Sequence, residues 1–380
     1  MKKIGILTFQ RAHNLGAMLQ AFALQQQILD SGYECELIDY RNIGTPEYYA
    51  RLYKKKNPNI IKYFLYRLLR TSFYHKYHKK FRNFQKDNLK YSNYYFEDKN
   101  VLIKNKVDEN YDTIIVGSDQ VWNLDLTDND FSYFLDFFND NSKKVSYAAS
   151  LGKITYEEDI LKEIVSLINN FSMVSVRETE GAALLKTLTD KEIKTVLDPT
   201  LLYPKTYWLK KAAVPKIKEE FIFCYVIGTV PQKAMELCRY LSDVFGIKII
   251  IGGNNSFRRK KEGNIKYLNS LSPFEFVGYI ANAKVVITSS FHGTAFAINL
   301  NKDFYSIPVN FNDPKLSRNS RITSLLNLAG LQNRFFNNET SLPKIEEISI
   351  DYEDANKKME FERKQSIDFL NNVLNFRKHE

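Results

Sequence analysis

A chain of 380 residues, 44% hydrophobic and 26% charged, has an ordinary globular composition and room for two domains, each with its own core. The opening run KKIGILTF is too short for a signal-peptide core, and no apolar stretch nears the roughly 18 residues of a membrane span. Three widely spaced cysteines (Cys35, Cys224 and Cys238) form no CxxC pair and read as buried thiols, which favours a cytoplasmic location.

The net charge of +10 is unevenly spread. Between Arg51 and Asn110 there are 16 Lys/Arg against 5 Asp/Glu, so this window holds the whole excess. Its core, IIKYFLYRLLRTSFYHKYHKKFRNF, interleaves aromatics with bases. We read segment 51–96 as a basic aromatic helix. Its lysines are either a solvated face or a surface for peripheral contact with anionic membrane or glycan. Nucleic acid is the least favoured partner.

In chain order, Lys3–Thr8 reads as a strand, followed by a polar loop and helical spacing from Ala17 to about Leu29. Strands follow at Cys35–Tyr40, Tyr111–Val116, Lys144–Ala149, Met173–Val176 and Thr195–Leu197, with helices near 156–169 and 178–188. The alternation restarts with strands at 221–227, 247–251, 285–288 and 303–308, separated by helices at 231–244, 273–283 and 294–300. Such alternation implies parallel βαβ units. We expect an α/β protein of two facing Rossmann-like domains, residues 1–210 and 211–345. A last helix within 346–380 is free to cross back to the first domain. The boundary lies in the proline-rich stretch 198–220.

Ligands of open parallel sheets bind beyond the carboxyl ends of the strands, which singles out four loops. In TFQRAHNLGAMLQ (8–20), Asn14 and the amides near Gly16 either hold an anion or sugar hydroxyl, or form a capped turn. The single glycine before the helix argues against a dinucleotide site. In VGSDQVWN (116–123), Gly117 permits a tight turn and Ser118 or Asp119 can cap. Trp122 is either a sugar-stacking face or a core residue. In VRETEG (176–181), Arg177 either reaches an anion or forms a structural salt bridge. The fourth loop, TSSFHGTAF (288–296), sets Ser289, Ser290, His292, Gly293 and Thr294 where a strand turns into a helix. His292 is there either a proton donor or a cap for backbone carbonyls. Arg321, in RNSRITSLLNLAGL, could complete a cationic pocket. No histidine cluster has metal-site spacing, so metal-independent chemistry is expected.

MKKIGILTFQRAHNLGAMLQAFALQ, DTIIVGSDQVWN, VSYAASLG, SVRETEG, VLDPTLL, ITSSFHGTAFAI and SRITSLLNLAGL, in this order, resemble the polysaccharide pyruvyl transferase family over roughly residues 1–335. The resemblance implies a GT-B-type architecture and, without further cofactor, transfer of the enolpyruvyl unit of phosphoenolpyruvate to a sugar of a surface glycan or its lipid-linked precursor. It implies His292 as the catalytic residue. Ser289, Ser290, Gly293, Thr294, Arg177 and Arg321 fall on the donor side. Asn14, Gly16, Gly117, Ser118, Asp119 and Trp122 fall on the acceptor side. Family members often carry an arginine where this chain has Ser290, so either Arg177, Arg321 or a lysine supplies that charge or the donor is not phosphoenolpyruvate. The alternatives are a GT-B-type glycosyltransferase using a nucleotide sugar and a non-catalytic glycan-binding relative.

Overall fold

A short strand that is followed by a helix rejoins its sheet most readily by a right-handed crossover to a parallel neighbour. The chain does this throughout. The computed structural model describes residues 2–41, 78–253, 263–268, 270–309, 311 and 319–375. They form two compact units, Met1–Leu202 with Gln365–Glu380, and Tyr203–Lys364.

Unit 1 holds β1 (Lys3–Leu7), β2 (Glu34–Tyr40), β3 (Tyr91–Phe96), β4 (Thr113–Val116), β5 (Lys144–Ala149), β6 (Met173–Val176) and β7 (Ile193–Thr195). Their order in the sheet is β3-β2-β1-β4-β5-β6-β7, and every pair is parallel. Central strands of such a sheet are covered on both faces, so they read as unbroken apolar runs. Accordingly Thr113–Val116 is buried at every position, with Ile4 opposite Thr113 in the register. The helix Leu15–Asp30 starts at Asn14, whose side chain accepts from the amides of Gly16 and Ala17.

Unit 2 holds β8 (Phe221–Tyr225), β9 (Lys248–Gly252), β10 (Ile265–Tyr267), β11 (Val285–Thr288) and β12 (Asp303–Ser306), ordered β10-β9-β8-β11-β12 and again all parallel. The helix Pro273–Asn282 enters through a capping box of Ser272 and Glu275 with Pro273 at its first position. It leads into β11, which is buried along its whole length.

Two features differ from the sequence reading. Within segment 51–96, residues 51–77 lie outside the described residues, 78–88 are helical, and 91–96 are not helix but the edge strand β3. Tyrosine-rich YSNYYF suits a half-exposed pleated edge better than a helix. The units divide between Leu202 and Tyr203, upstream of residue 210. The reason is Trp208, fully buried in unit 2, with its ring edge-on to Phe296 at 4.9 Å.

The final helix, Glu353–Asn375, contributes its first residues to unit 2 and those from Gln365 onward to unit 1. There the Ser366 hydroxyl accepts from the Leu197 amide at 2.9 Å, and Leu370, Val373 and Leu374 are buried. Among the described residues no helix is long and apolar enough to cross a membrane.

Candidate functional site

Where neighbouring strands send their crossovers to opposite faces, their loops part and leave a crevice beyond the strand ends. In unit 1 that point lies between β1 and β4, and in unit 2 between β8 and β11.

In unit 1 the point is filled by the protein's own side chains. Thr8 Oγ1 donates to the Ser118 carbonyl at 2.9 Å, Gln20 Nε2 donates to Thr8 Oγ1 at 2.9 Å, and the Ser118 amide donates to Gln20 Oε1 at 3.1 Å. Ser118 Oγ lies 3.1 Å from the Ala148 carbonyl and 3.0 Å from Asp198 Oδ2. Gly117, at φ +115°, is required here, because a Cβ would sit 2.2 Å from the Tyr147 carbonyl oxygen.

Beside this ring, Arg177 leaves the end of β6. Its Nη1 donates to Asp198 Oδ2 and its Nε to Glu178 Oε1, both at 2.9 Å, and Nη2 stands 3.8 Å from Asp119 Oδ1. Burial works against the guanidinium charge, but Glu178, Asp198 and Asp119 outweigh it and raise the pKa. One cation among three carboxylates leaves the cluster formally negative. In this arrangement Nη1 and Nε of Arg177 are engaged by the protein's own carboxylates.

Several acceptor-side expectations change with this geometry. Trp122 is a core residue, not a sugar platform. It has no exposed surface, its Nε1 donates to the Tyr133 carbonyl at 2.9 Å, and its ring stacks on Phe134 at 5.3 Å. The Gly16 amide is taken by Asn14 Oδ1 at 2.9 Å. Ser118 is fully enclosed. Asn14 is exposed, and Asp119, held at φ +72°, keeps a small exposed edge. Thr8, Gln20 and Asp198 went unassigned in the sequence reading, although VLDPTLL pointed to the last.

A second polar group sits at the ends of β1 and β2. Asp39 accepts from Arg11 at 2.6 and 2.5 Å and from Arg41 at 2.7 Å. Burial pushes the Asp39 carboxyl up, but the Arg41 and Arg11 hydrogen bonds prevail and hold it below the usual carboxylate range. Nearby, His13 and His78 set their Nδ1 atoms against each other, and the His13 ring stacks on Phe81. Burial first, then His78, Arg82 and Arg11, lower the His13 pKa to about 3.

Unit 2 is built differently. Ser290 caps the helix Phe291–Asn299, its hydroxyl accepting from the Gly293 amide at 3.3 Å. Ser289 Oγ accepts from the Ile227 amide at 3.0 Å, tying the loop after β8 to the turn after β11. Thr294 Oγ1 lies 2.7 Å from Ser306 Oγ. Gly293 is where helix and strand approach closely, since a Cβ there would meet Thr288 Oγ1 at 2.3 Å. His292 is thus held in the first turn of a helix at the switch point, 6% exposed and edge-on to Phe291. Arg321 is buried in the helix Ser320–Ala329, which packs against Phe291–Asn299. A cavity of about 600 Å³ adjoins the ends of β8 and β12, lined in part by Gln232, Lys233 and Phe311. Among the described residues no group of His, Cys, Asp and Glu could hold a metal ion.

The model of the family described as polysaccharide pyruvyl transferase matches residues 14–310, well over half of the sequence. The chain belongs to that family. It is thereby a member of a transferase family, and its two Rossmann-like units have the GT-B type of fold. A putative UDP-N-acetylglucosamine 2-epimerase from Listeria monocytogenes is similar in structure, with TM-score 0.55 and 10% identity over 100% of this chain and 99% of that one. The UDP-GlcNAc 2-epimerase from Neisseria meningitidis, solved bound to UDP-GlcNAc, has TM-score 0.53 and 8% identity over 98% and 99%. At such identities the likeness is one of fold. No curated protein matches the sequence.

Proposed function

We propose that this member of the family transfers the pyruvyl unit of phosphoenolpyruvate to a sugar of a surface polysaccharide or of its lipid-linked precursor. The observation that carries the reading is the turn holding His292 at the switch point of unit 2, together with membership in the family. In the proposed reaction the methylene carbon of the donor takes up a proton, and an oxocarbenium-like centre forms at its neighbour. One sugar hydroxyl adds there and loses its proton. A second hydroxyl then displaces phosphate from the same carbon, its proton leaving with the phosphate, and closes the ketal. His292 is the proposed acid, and Arg321 is the proposed partner of the anionic groups of the donor. Arg177 organises unit 1 in this reading, and Asp119 and Asn14 remain its acceptor-side candidates.

Incubation with phosphoenolpyruvate and a panel of glycosyl acceptors, followed by release of inorganic phosphate, tests the proposal. Turnover of a nucleotide sugar with no phosphate released from phosphoenolpyruvate on any acceptor would favour the second reading, a glycosyltransferase, which the GT-B-type fold also fits. The proposed enzyme works on the cytoplasmic side of the membrane, where the basic segment 51–96 could meet anionic lipid.

A further inference from the structure

The first stretch of unit 2, KTYWLKKAAVPKIK (205–218), holds five lysines and no acid. Its helix, Lys205–Lys211, turns Trp208 into the core against Phe296 and leaves Lys205, Leu209, Lys210 and Lys211 exposed. Beyond the helix the burial alternates as in an extended strap. Val214, Lys216 and Lys218 are exposed, while Pro215 and Ile217 are half-buried. Both parts rest on one support, the helix Pro273–Asn282. The helix Lys205–Lys211 packs against it. The Ala213 amide donates to the Phe274 carbonyl at 3.0 Å, and a Cβ on Gly278 would stand 1.8 Å from the Ala213 carbonyl oxygen. The lysines are thus presented by backbone that is held in place.

Their charge is not neutralised nearby. Lys205, Lys210, Lys216 and Lys218 make no salt bridge among the described residues. The acids that follow, Glu219 and Glu220, face Lys248 at 3.1 Å and Lys284 at 3.6 Å. Glu275, on the supporting helix, accepts from the Ser272 amide at 2.7 Å. Among the lysines stand Leu209, 45% exposed, and Val214, at 81% the most exposed large hydrophobic among the described residues. One exposed aliphatic residue alone is ordinary. Two of them inside an unopposed basic patch make a surface suited to a bilayer, with cations at the headgroups and aliphatic tips between them. A second copy of the chain would bring the same lysines and be repelled. Nucleic acid would call for open rings to stack on bases, and Tyr207 is half-buried and stacks on Tyr203 at 3.9 Å.

We infer that this face of unit 2 binds the anionic surface of a lipid bilayer, with Lys205, Lys210, Lys216 and Lys218 at the headgroups and Leu209 and Val214 in the interfacial layer. The contact is separate from segment 51–96. It rests on unit 2 alone and holds whichever group the enzyme transfers.

Sedimentation of the full chain with phosphatidylcholine vesicles, with and without an equal part of phosphatidylglycerol, tests it. The chain should bind the mixed vesicles, ignore the neutral ones and come off in part as salt is raised. Lys205→Glu with Lys210→Glu should weaken binding by about tenfold to a hundredfold. Lys216→Glu with Lys218→Glu, in the strap, should do as much, and since all four side chains are exposed both variants should fold. Leu209→Ser with Val214→Ser should weaken binding severalfold and leave its salt response unchanged. Failure to bind the mixed vesicles overturns the inference. So does binding by both folded lysine variants within twofold of the wild type, which would leave membrane contact to segment 51–96. Binding to a single-stranded oligonucleotide and not to vesicles, lost in the same variants, assigns the face to nucleic acid and overturns it as well. A chain that binds vesicles yet never releases phosphate from phosphoenolpyruvate defeats the transfer proposal and leaves this one standing.

Discussion

Units 1 and 2 lay their first five strands in the same parallel order, yet they treat the crevice beyond the strand ends in opposite ways. In unit 1, Thr8, Gln20 and Ser118 close it with a hydrogen-bonded ring, and Arg177 is surrounded by Glu178, Asp198 and Asp119. In unit 2 the Ile227 amide donates to Ser289 Oγ, the Ser289 amide and the Thr288 hydroxyl donate to the Tyr225 carbonyl, and a cavity lies alongside. The difference teaches that a shared topology marks where a ligand could go, while side-chain chemistry decides whether the place is occupied. A closed, formally negative crevice suits a stable scaffold with carboxylates at its edge. In unit 2 the same place carries the first turn of a helix with His292 in it, the arrangement on which the proposed transfer rests.

Breaking this contrast should be possible one unit at a time. The largest effect is expected in unit 2, where His292→Gln should lower turnover by about 10²–10⁴-fold if the imidazole is the acid, with thermal unfolding little changed. Loss of stability with activity intact would return His292 to a structural role. In unit 1 the reverse is expected: Arg177→Met strands three buried carboxylates and should cost about 3–5 kcal/mol of stability in urea unfolding. A folded variant whose only defect is a raised KM for the donor would make Arg177 an anion ligand after all.

A third measurement separates the units by pH. The His13 pKa of about 3 lies below the unfolded value, which is about 6.5. Between those limits the unfolded chain binds a proton that the folded chain refuses. Stability should therefore fall as pH drops below about 6.5, with this loss complete near pH 3. In His13→Asn that part of the acid slope should disappear. The smallest effects come from a matched pair of helix caps: Asn14→Ala in unit 1 and Ser290→Ala in unit 2 should each cost about 1 kcal/mol. A much larger loss of activity than of stability in Ser290→Ala alone would show the serine to be more than a cap.

Much of this was legible from sequence, and unevenly so. The turn TSSFHG stood out because VVIT is an unbroken apolar run and glycine and serine mark the change of period after it. β3 was hidden among lysines, since an edge strand need not show a buried alternation. Trp122 looked like a sugar platform beside Gly117 and Asp119. Its burial is decided by Phe134 and Phe171, which local pattern does not bring near it. The partner of Arg177 was equally remote, for Asp198 lies 21 residues on, across β7. Long-range pairs of this kind are set by the sheet and not by any window of sequence.

The helix Glu353–Asn375 carries a consequence for how the molecule is made. Unit 2 is a single continuous segment, whereas unit 1 lacks Ser366 and the apolar side chains of Leu370 and Leu374 until residues beyond Lys364 exist. During synthesis the first unit to begin is therefore the last to be finished. A fragment ending at Leu202 would expose the surface that these leucines cover, and a nascent chain must shield that surface while the whole of unit 2 is being translated.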